Sequence, residues 1–168
     1  MALIATPGAV DSNSYATLAE ANLYHASTLN ASAWTTASDA TKETALQWAT
    51  RLLDEQVEWV GEIVSADQAL RWPRFDVYTR DGIAFDSDSI PTFLKNATAE
   101  LAKQLIASDR TAESSSLGIS ELQVDVVKIV FDKTESKAVL PPAVYNMVKA
   151  YGTANDGSGF SMAKLIRA

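Results

Sequence analysis

Apolar positions recur at helical spacing in four stretches of this sequence and alternate with polar ones in a single stretch. The pattern predicts a mainly helical α+β domain of about four helices, one strand or hairpin element and an extended C-terminal arm. Thr17, followed three residues later by Glu20, forms a capping box and opens the first helix, which runs to about Thr28 and turns Leu18, Ala21 and Leu23 inward. The Ser-, Ala- and Thr-rich stretch from Asn30 to Ala37 reads as a loop anchored by Trp34. A second helix, capped by Ser38 or Asp39 and spanning roughly 40–54, carries Ala45, Leu46, Trp48, Ala49, Leu52 and Leu53 as a broad apolar stripe, and Glu55 to Gly61 continues or frays it. Ser65 to Leu70 adds at most a turn. Trp72-Pro73 must end it, because proline drives its predecessor away from helical angles. Arg80-Asp81-Gly82 marks a tight turn. Pro91 opens the clearest helix, with Phe93, Leu94, Ala97, Leu101, Ala102, Leu105 and Ile106 on one side and an end near Ser108. Leu140-Pro141-Pro142 starts the last, through Val144, Met147, Val148 and Tyr151, stopped by Gly152.

Between these helices, Ala112 to Gly118 is Ser-rich and reads as an exposed loop. Beyond it Leu122, Val124 and Val126 alternate with polar neighbours, and Val127, Ile129 and Phe131 continue in the opposite phase, which predicts a bulge or a shift of face near Val126-Val127. One strand cannot satisfy its own backbone, so it folds back as a hairpin or pairs with a neighbouring subunit. The domain therefore covers 1–152, with its β element at about 119–134, and 153–168 forms the arm. Gly157-Ser158-Gly159 loosens that arm, whereas Phe160, Met162, Leu165 and Ile166 are apolar and Arg167 basic, as a docking segment requires. Candidate inter-chain contacts are accordingly Val124, Val126, Ile129 and Phe131 for pairing, and Phe160, Met162, Leu165, Ile166 and Arg167 for docking.

Composition narrows the function classes. At 168 residues the chain supports one sizeable core, and an apolar fraction of 47% with 21% charged residues is that of a folded protein. No apolar run approaches the ~20 residues that cross a bilayer, and the N-terminus lacks the basic start of a secretion signal, so a cytoplasmic origin without membrane contact is expected. With no cysteine, disulfides, thiolate metal sites and cysteine nucleophiles are excluded. The formal charge of −7 opposes non-specific phosphate binding.

Candidate chemistry is sparse, and the expectation is a protein without enzymatic activity, cofactor or metal. The lone histidine, His25, lies within the first helix and has no nucleophile-elbow serine to serve, so it reads as a surface or boundary side chain. Asp81, Asp86 and Asp88 do not follow a calcium-loop pattern, and Asp54-Glu55 looks like a solvated face. One constellation resists dismissal: Arg71, Trp72, Arg74, Phe75, Tyr78 and Arg80 interleave arginines with aromatics, the arrangement that tracks phosphates and stacks bases of a single strand. The competing structural reading has Trp72 and Phe75 anchoring an irregular segment while the arginines pair with nearby acids.

The order of segments carries a resemblance. Val10-Asp11-Ser12-Asn13-Ser14-Tyr15 with Leu18-Ala19-Glu20-Ala21 is followed by Ala49-Thr50-Arg51-Leu52-Leu53-Asp54 and Leu70-Arg71-Trp72-Pro73-Arg74 with Asp81-Gly82. After these come Ile90-Pro91 with Ala97, Glu100, Leu101 and Ala102, and then Leu140-Pro141-Pro142. From about Val10 onward the chain resembles the tailed-bacteriophage head-to-tail connector, adaptor or head-completion proteins, many of which carry the label "putative DnaT-like single-stranded DNA-binding protein". The resemblance implies a structural virion protein of the neck, made in the host cytoplasm. It implies an oligomeric ring of twelve copies beneath the portal protein, joined to a downstream tail or neck protein, with the genome DNA passing through without sequence-specific contact. No catalytic role comes with it. The arm departs from the family pattern in being largely apolar, which leaves its partner open.

Overall fold

The computed structural model describes residues 2–111 and 139–154, together with the backbone of 121–124 and 127–130. Its helices are α1 (Leu18–Ala26), α2 (Ser32–Thr35), α3 (Asp39–Gln56), α4 (Thr92–Ala107) and α5 (Pro142–Val148). Its strands are β1 (Val57–Trp59), β2 (Glu62–Ile63), β3 (Arg74–Phe75), β4 (Glu121–Val124), β5 (Val127–Val130) and β6 (Gly152–Ala154). The chain is thus α+β and mainly α. Among the described residues no helix is long and apolar enough to cross a membrane.

Local chemistry starts α1, α3, α4 and α5 where the sequence says, whereas α2 is a single turn, without a side-chain cap, inside the stretch read as a loop. Thr17 accepts from the Glu20 N–H while the Glu20 carboxylate accepts from the Thr17 N–H at 2.8 Å. Ser38 caps α3 by accepting from the Thr41 N–H at 3.2 Å, and Pro91 and Pro141 stand at the N-caps of α4 and α5.

α4 is the central element, with α1, α2, α3 and α5 all packed on it. Its middle is buried almost all round, from Leu94 through Ala97, Thr98, Ala99 and Glu100 to Leu101 and Ala102. Alanines at 97, 99 and 102 of α4 and at 45 and 49 of α3 are buried, and side chains of that size let neighbouring helix backbones approach closely. Leu46, Leu53, Leu94 and Leu101 are fully enclosed, each contributing about 1.5–3 kcal/mol of burial. Glu100 is tolerated inside because Lys103 at 2.8 Å and Gln104 at 3.2 Å satisfy its carboxylate.

Several expectations are corrected. Leu23 is 74% exposed, because the nine-residue α1 buries only the face bearing Ala21 and His25. Trp48 is 41% exposed at the edge of the α3 stripe. Residues 57–59 do not continue or fray α3: Val57 turns to extended angles and starts β1, which pairs antiparallel with β6 in the register Val57↔Ala154, Glu58↔Thr153 and Trp59↔Gly152. α5 accordingly stops at Val148, short of Gly152, and residues 153–154 belong to a strand rather than to an arm. The change of phase near Val126-Val127 is a reversal of the chain: β4 and β5 pair antiparallel with Val124 opposite Val127 and Leu122 opposite Ile129. A hairpin exchanges inward and outward positions at its turn, which the linear pattern expresses as a phase shift.

Candidate functional site

The lobe between α3 and α4 holds the arginine and aromatic constellation, and its shape follows from a few short-range bonds. After β1 the chain turns at Gly61, whose φ of +76° suits glycine, and any Cβ there would collide with the Phe75 carbonyl. β2 then pairs with β3, setting Glu62 opposite Phe75 and Ile63 opposite Arg74. Farther on, Tyr78 bridges Ala84 across the Arg80-Asp81-Gly82 turn, closed by the Gly82 N–H on the Thr79 carbonyl at 3.0 Å.

Arg74 is spent on this architecture. Its Nε donates to the Val60 carbonyl at 2.7 Å, Nη1 to that of Arg71 at 3.1 Å, and Nη2 to those of Gly61 at 2.5 Å and Trp59 at 3.4 Å. A guanidinium offers its donors in a planar fork, so one side chain satisfies the carbonyls of a turn that has no ladder partner for them. Trp72 is 1% exposed and meets the rings of Trp59, Phe85 and Phe93 edge-on at 5.8, 6.1 and 5.7 Å. Tyr151 completes the cluster by stacking on Phe93 at 4.2 Å.

Beneath the lobe lies Asp54, which the sequence reading placed on a solvated face. It is instead half-buried, accepting from the Tyr15 hydroxyl, from the Arg71 backbone N–H at 3.2 Å and from the Trp59 indole N–H at 3.4 Å. Burial raises the pKa of its carboxyl, and those hydrogen bonds and the Arg71 charge only partly offset it. The Tyr15 hydroxyl is pushed well up, first by burial and then by Asp54. The carboxylate thus ties the N-terminal segment, α3 and the Arg71 loop together.

The sequence-predicted residues therefore separate. Trp72 is withdrawn from any ligand-facing surface because it is packed among rings, and Arg74, although it borders a cleft, has its guanidinium committed to backbone carbonyls rather than to nearby acids. Arg71, Phe75 and Arg80 remain exposed, with Tyr78 beside them. A cleft of about 470 Å³ opens along Arg71 and Arg74, but Asp54, Glu55 and Glu58 line it too. Over 57–88 the acids Glu58, Glu62, Asp67, Asp76, Asp81, Asp86 and Asp88 outnumber Arg71, Arg74 and Arg80, so this is not a positive groove. Asp86 and Asp88 stand close enough that Asp86 raises the Asp88 pKa by a shared hydrogen bond and like charge.

The lobe exposes something that sequence reasoning missed: Val60, Ile63, Phe75, Tyr78 and Ile83 are each 44% exposed or more. Strands of two residues carry no periodicity, so nothing in the pattern marked these positions as outward. Of the proposed pairing residues, Val124 and Ile129 lie on the β4–β5 hairpin. Val126, Phe131, Phe160, Met162, Leu165, Ile166 and Arg167 lie outside the described residues. His25 is no surface side chain. It is 3% exposed, with Nε2 3.0 Å from the Ala99 carbonyl, Trp34 and Tyr24 rings at 4.6 and 5.0 Å, and an unpartnered Nδ1.

A small, mainly helical body with an apolar-faced, acidic lobe defines the class as an α+β domain. The family model described as "Putative DnaT-like ssDNA binding protein" matches residues 1–168, and the chain belongs to that family. No curated protein and no solved structure matches it.

Proposed function

We propose that this chain is a structural assembly protein without enzymatic activity, a head-to-tail connector that forms a ring under a portal and joins a DNA-filled head to a tail. The observation that carries the reading is the concentration of exposed Val60, Ile63, Phe75, Tyr78 and Ile83 on one lobe held rigid from inside by Arg74 and Asp54. A cluster of that kind costs solubility unless a partner covers it, and a neighbouring copy of this chain is the partner proposed. An acidic surface suits the wall of a DNA channel, since like charge discourages sticking. Phe160, Met162, Leu165 and Ile166 supply the second contact, to the portal or the tail-side protein.

The test is the mass of the purified protein alone and with a portal, by light scattering: a ring-sized species is expected. Deleting residues 155–168, which spares β6, should leave the far-UV spectrum unchanged and block incorporation into particles. A monomer under both conditions, or normal particles from the truncated chain, would overturn the reading.

The family description favours a second reading, a single-stranded DNA-binding module. The exposed set Arg71, Phe75 and Arg80 would carry it, with Tyr78, rather than Trp72 and Arg74. It predicts oligonucleotide affinity that falls steeply with salt and weakens in Phe75→Ala. A Trp72→Ala change is unsuitable as a test, because it empties the core.

A further inference from the structure

A shallow apolar groove of about 440 Å³ runs between the first half of α3 and the last turn of α4, lined by Thr41, Thr44, Trp48, Leu105 and Ile106 among others. Trp48 stands 41% exposed there, whereas Trp34, Trp59 and Trp72 are at most 7% exposed. Leu105 and Ile106 are only partly buried. Arg51 lies over the Trp48 ring at 4.9 Å, yet the rest of that indole still faces water beside the two aliphatic side chains, an apolar surface that a cover would remove.

We propose that the C-terminal segment bearing Phe160, Met162, Leu165 and Ile166 covers the α3–α4 groove of its own chain. The inference rests on reading that segment as a docking arm, and gives the arm a resting place before it meets a partner.

Three observations favour this occupant. The described chain ends at Ala154, opposite Val57 at the C-terminal end of α3. Thr44, in the groove, lies thirteen residues back along the helix, about 20 Å at 1.5 Å per residue. Six extended residues reach from Ala154 to Phe160, also about 20 Å, and Met162 to Ile166 reach farther, so the segment spans the gap with slack. Its charge is complementary as well: it holds Lys164 and Arg167 against the single acid Asp156, while the whole chain carries −7. At the α3 start Asp39 is paired with Lys42 at 3.3 Å, while Glu43 adds a further acid one residue before Thr44 of the groove. Tethering also favours the segment of the same chain over a free partner at low concentration.

Acrylamide quenching of tryptophan fluorescence tests the contact, because Trp48 is the accessible indole. In the full chain, replacing Phe160, Met162, Leu165 and Ile166 together by Ser should raise the quenching constant about twofold, as a site that covers ~70–90% of its occupant is emptied. The increase should be independent of protein concentration and vanish in a Trp48→Phe background. Equal quenching in the two full chains overturns the proposal. Protection that appears only as concentration rises also overturns it, and assigns the groove to a second copy. Ring assembly of the four-Ser chain is scored separately: assembly without the apolar residues removes the docking-arm reading, whereas failed assembly with unchanged quenching removes only the resting contact.

Discussion

Enclosed between Trp34, Tyr24 and the Ala99 carbonyl, His25 is held as a neutral ring, and burial lowers its pKa below the ordinary value. Nearby Lys103 pushes the same way and Glu100 opposes it, with less effect than burial. The sign follows from linkage. The unfolded chain takes up a proton near pH 6.5 and the folded chain only at lower pH, so the contribution is complete above ~6.5 and is lost as pH falls through the folded value. Thermal melts between neutral and mildly acidic pH should therefore show a falling midpoint whose slope flattens in His25→Gln. Asp54 has the opposite sign: its raised pKa favours folding as pH falls toward the ordinary carboxylate range, a separate and more acidic window. Neither environment was legible in the sequence. A solitary histidine on a short helix and an Asp-Glu pair read as solvated, and only the packing of α1 and of the Arg71 loop, contacts distant along the chain, buries them.

Among the elements, the turns of the lobe make the sharpest comparison. Gly61 and Gly82 both have positive φ, +76° and +79°, but a Cβ at Gly61 meets the Phe75 carbonyl and Val77, whereas nothing stands within 4 Å of one at Gly82. Gly82→Ala should cost only the left-handed backbone penalty of about 1–2 kcal/mol, and Gly61→Ala should cost clearly more by adding a backbone collision. Urea unfolding of the two variants checks the order, and equal losses would remove the steric account of the β1–β2 turn. Four of the five described helices were readable because their signals are local: the Thr17 and Glu20 capping box, Ser38, Pro91 and Pro141 lie within one turn of the ends they define, whereas the four-residue α2 has no side-chain cap to announce it. The ladders were not. β1 pairs with β6 almost a hundred residues away, and two- or three-residue strands leave no alternating pattern to read. For the candidate site the arginine and aromatic segment was found, but its division into buried Trp72 and Arg74 and exposed Phe75 and Tyr78 depends on Asp54 and the Gly61 turn.

For the whole molecule, net charge separates the two functional readings by the direction of a single response. Copies carrying −7 each repel, and raising ionic strength from ~0.01 to ~0.15 M shortens the screening length from ~30 to ~8 Å. Self-association through the apolar lobe should strengthen over that range, while oligonucleotide binding should weaken. Sedimentation velocity across a salt series reads the first and anisotropy of a labelled strand the second. The β1–β6 ladder also has a mechanical side. Its Val57–Ala154 rung joins the end of α3 to the point where the C-terminal segment departs, so tension on that segment loads the rungs one after another, as in a zipper, rather than all at once in shear. A modest pull can peel Gly152–Ala154 free and lengthen the tether by about 10 Å, while the α3–α4 body that anchors it stays folded.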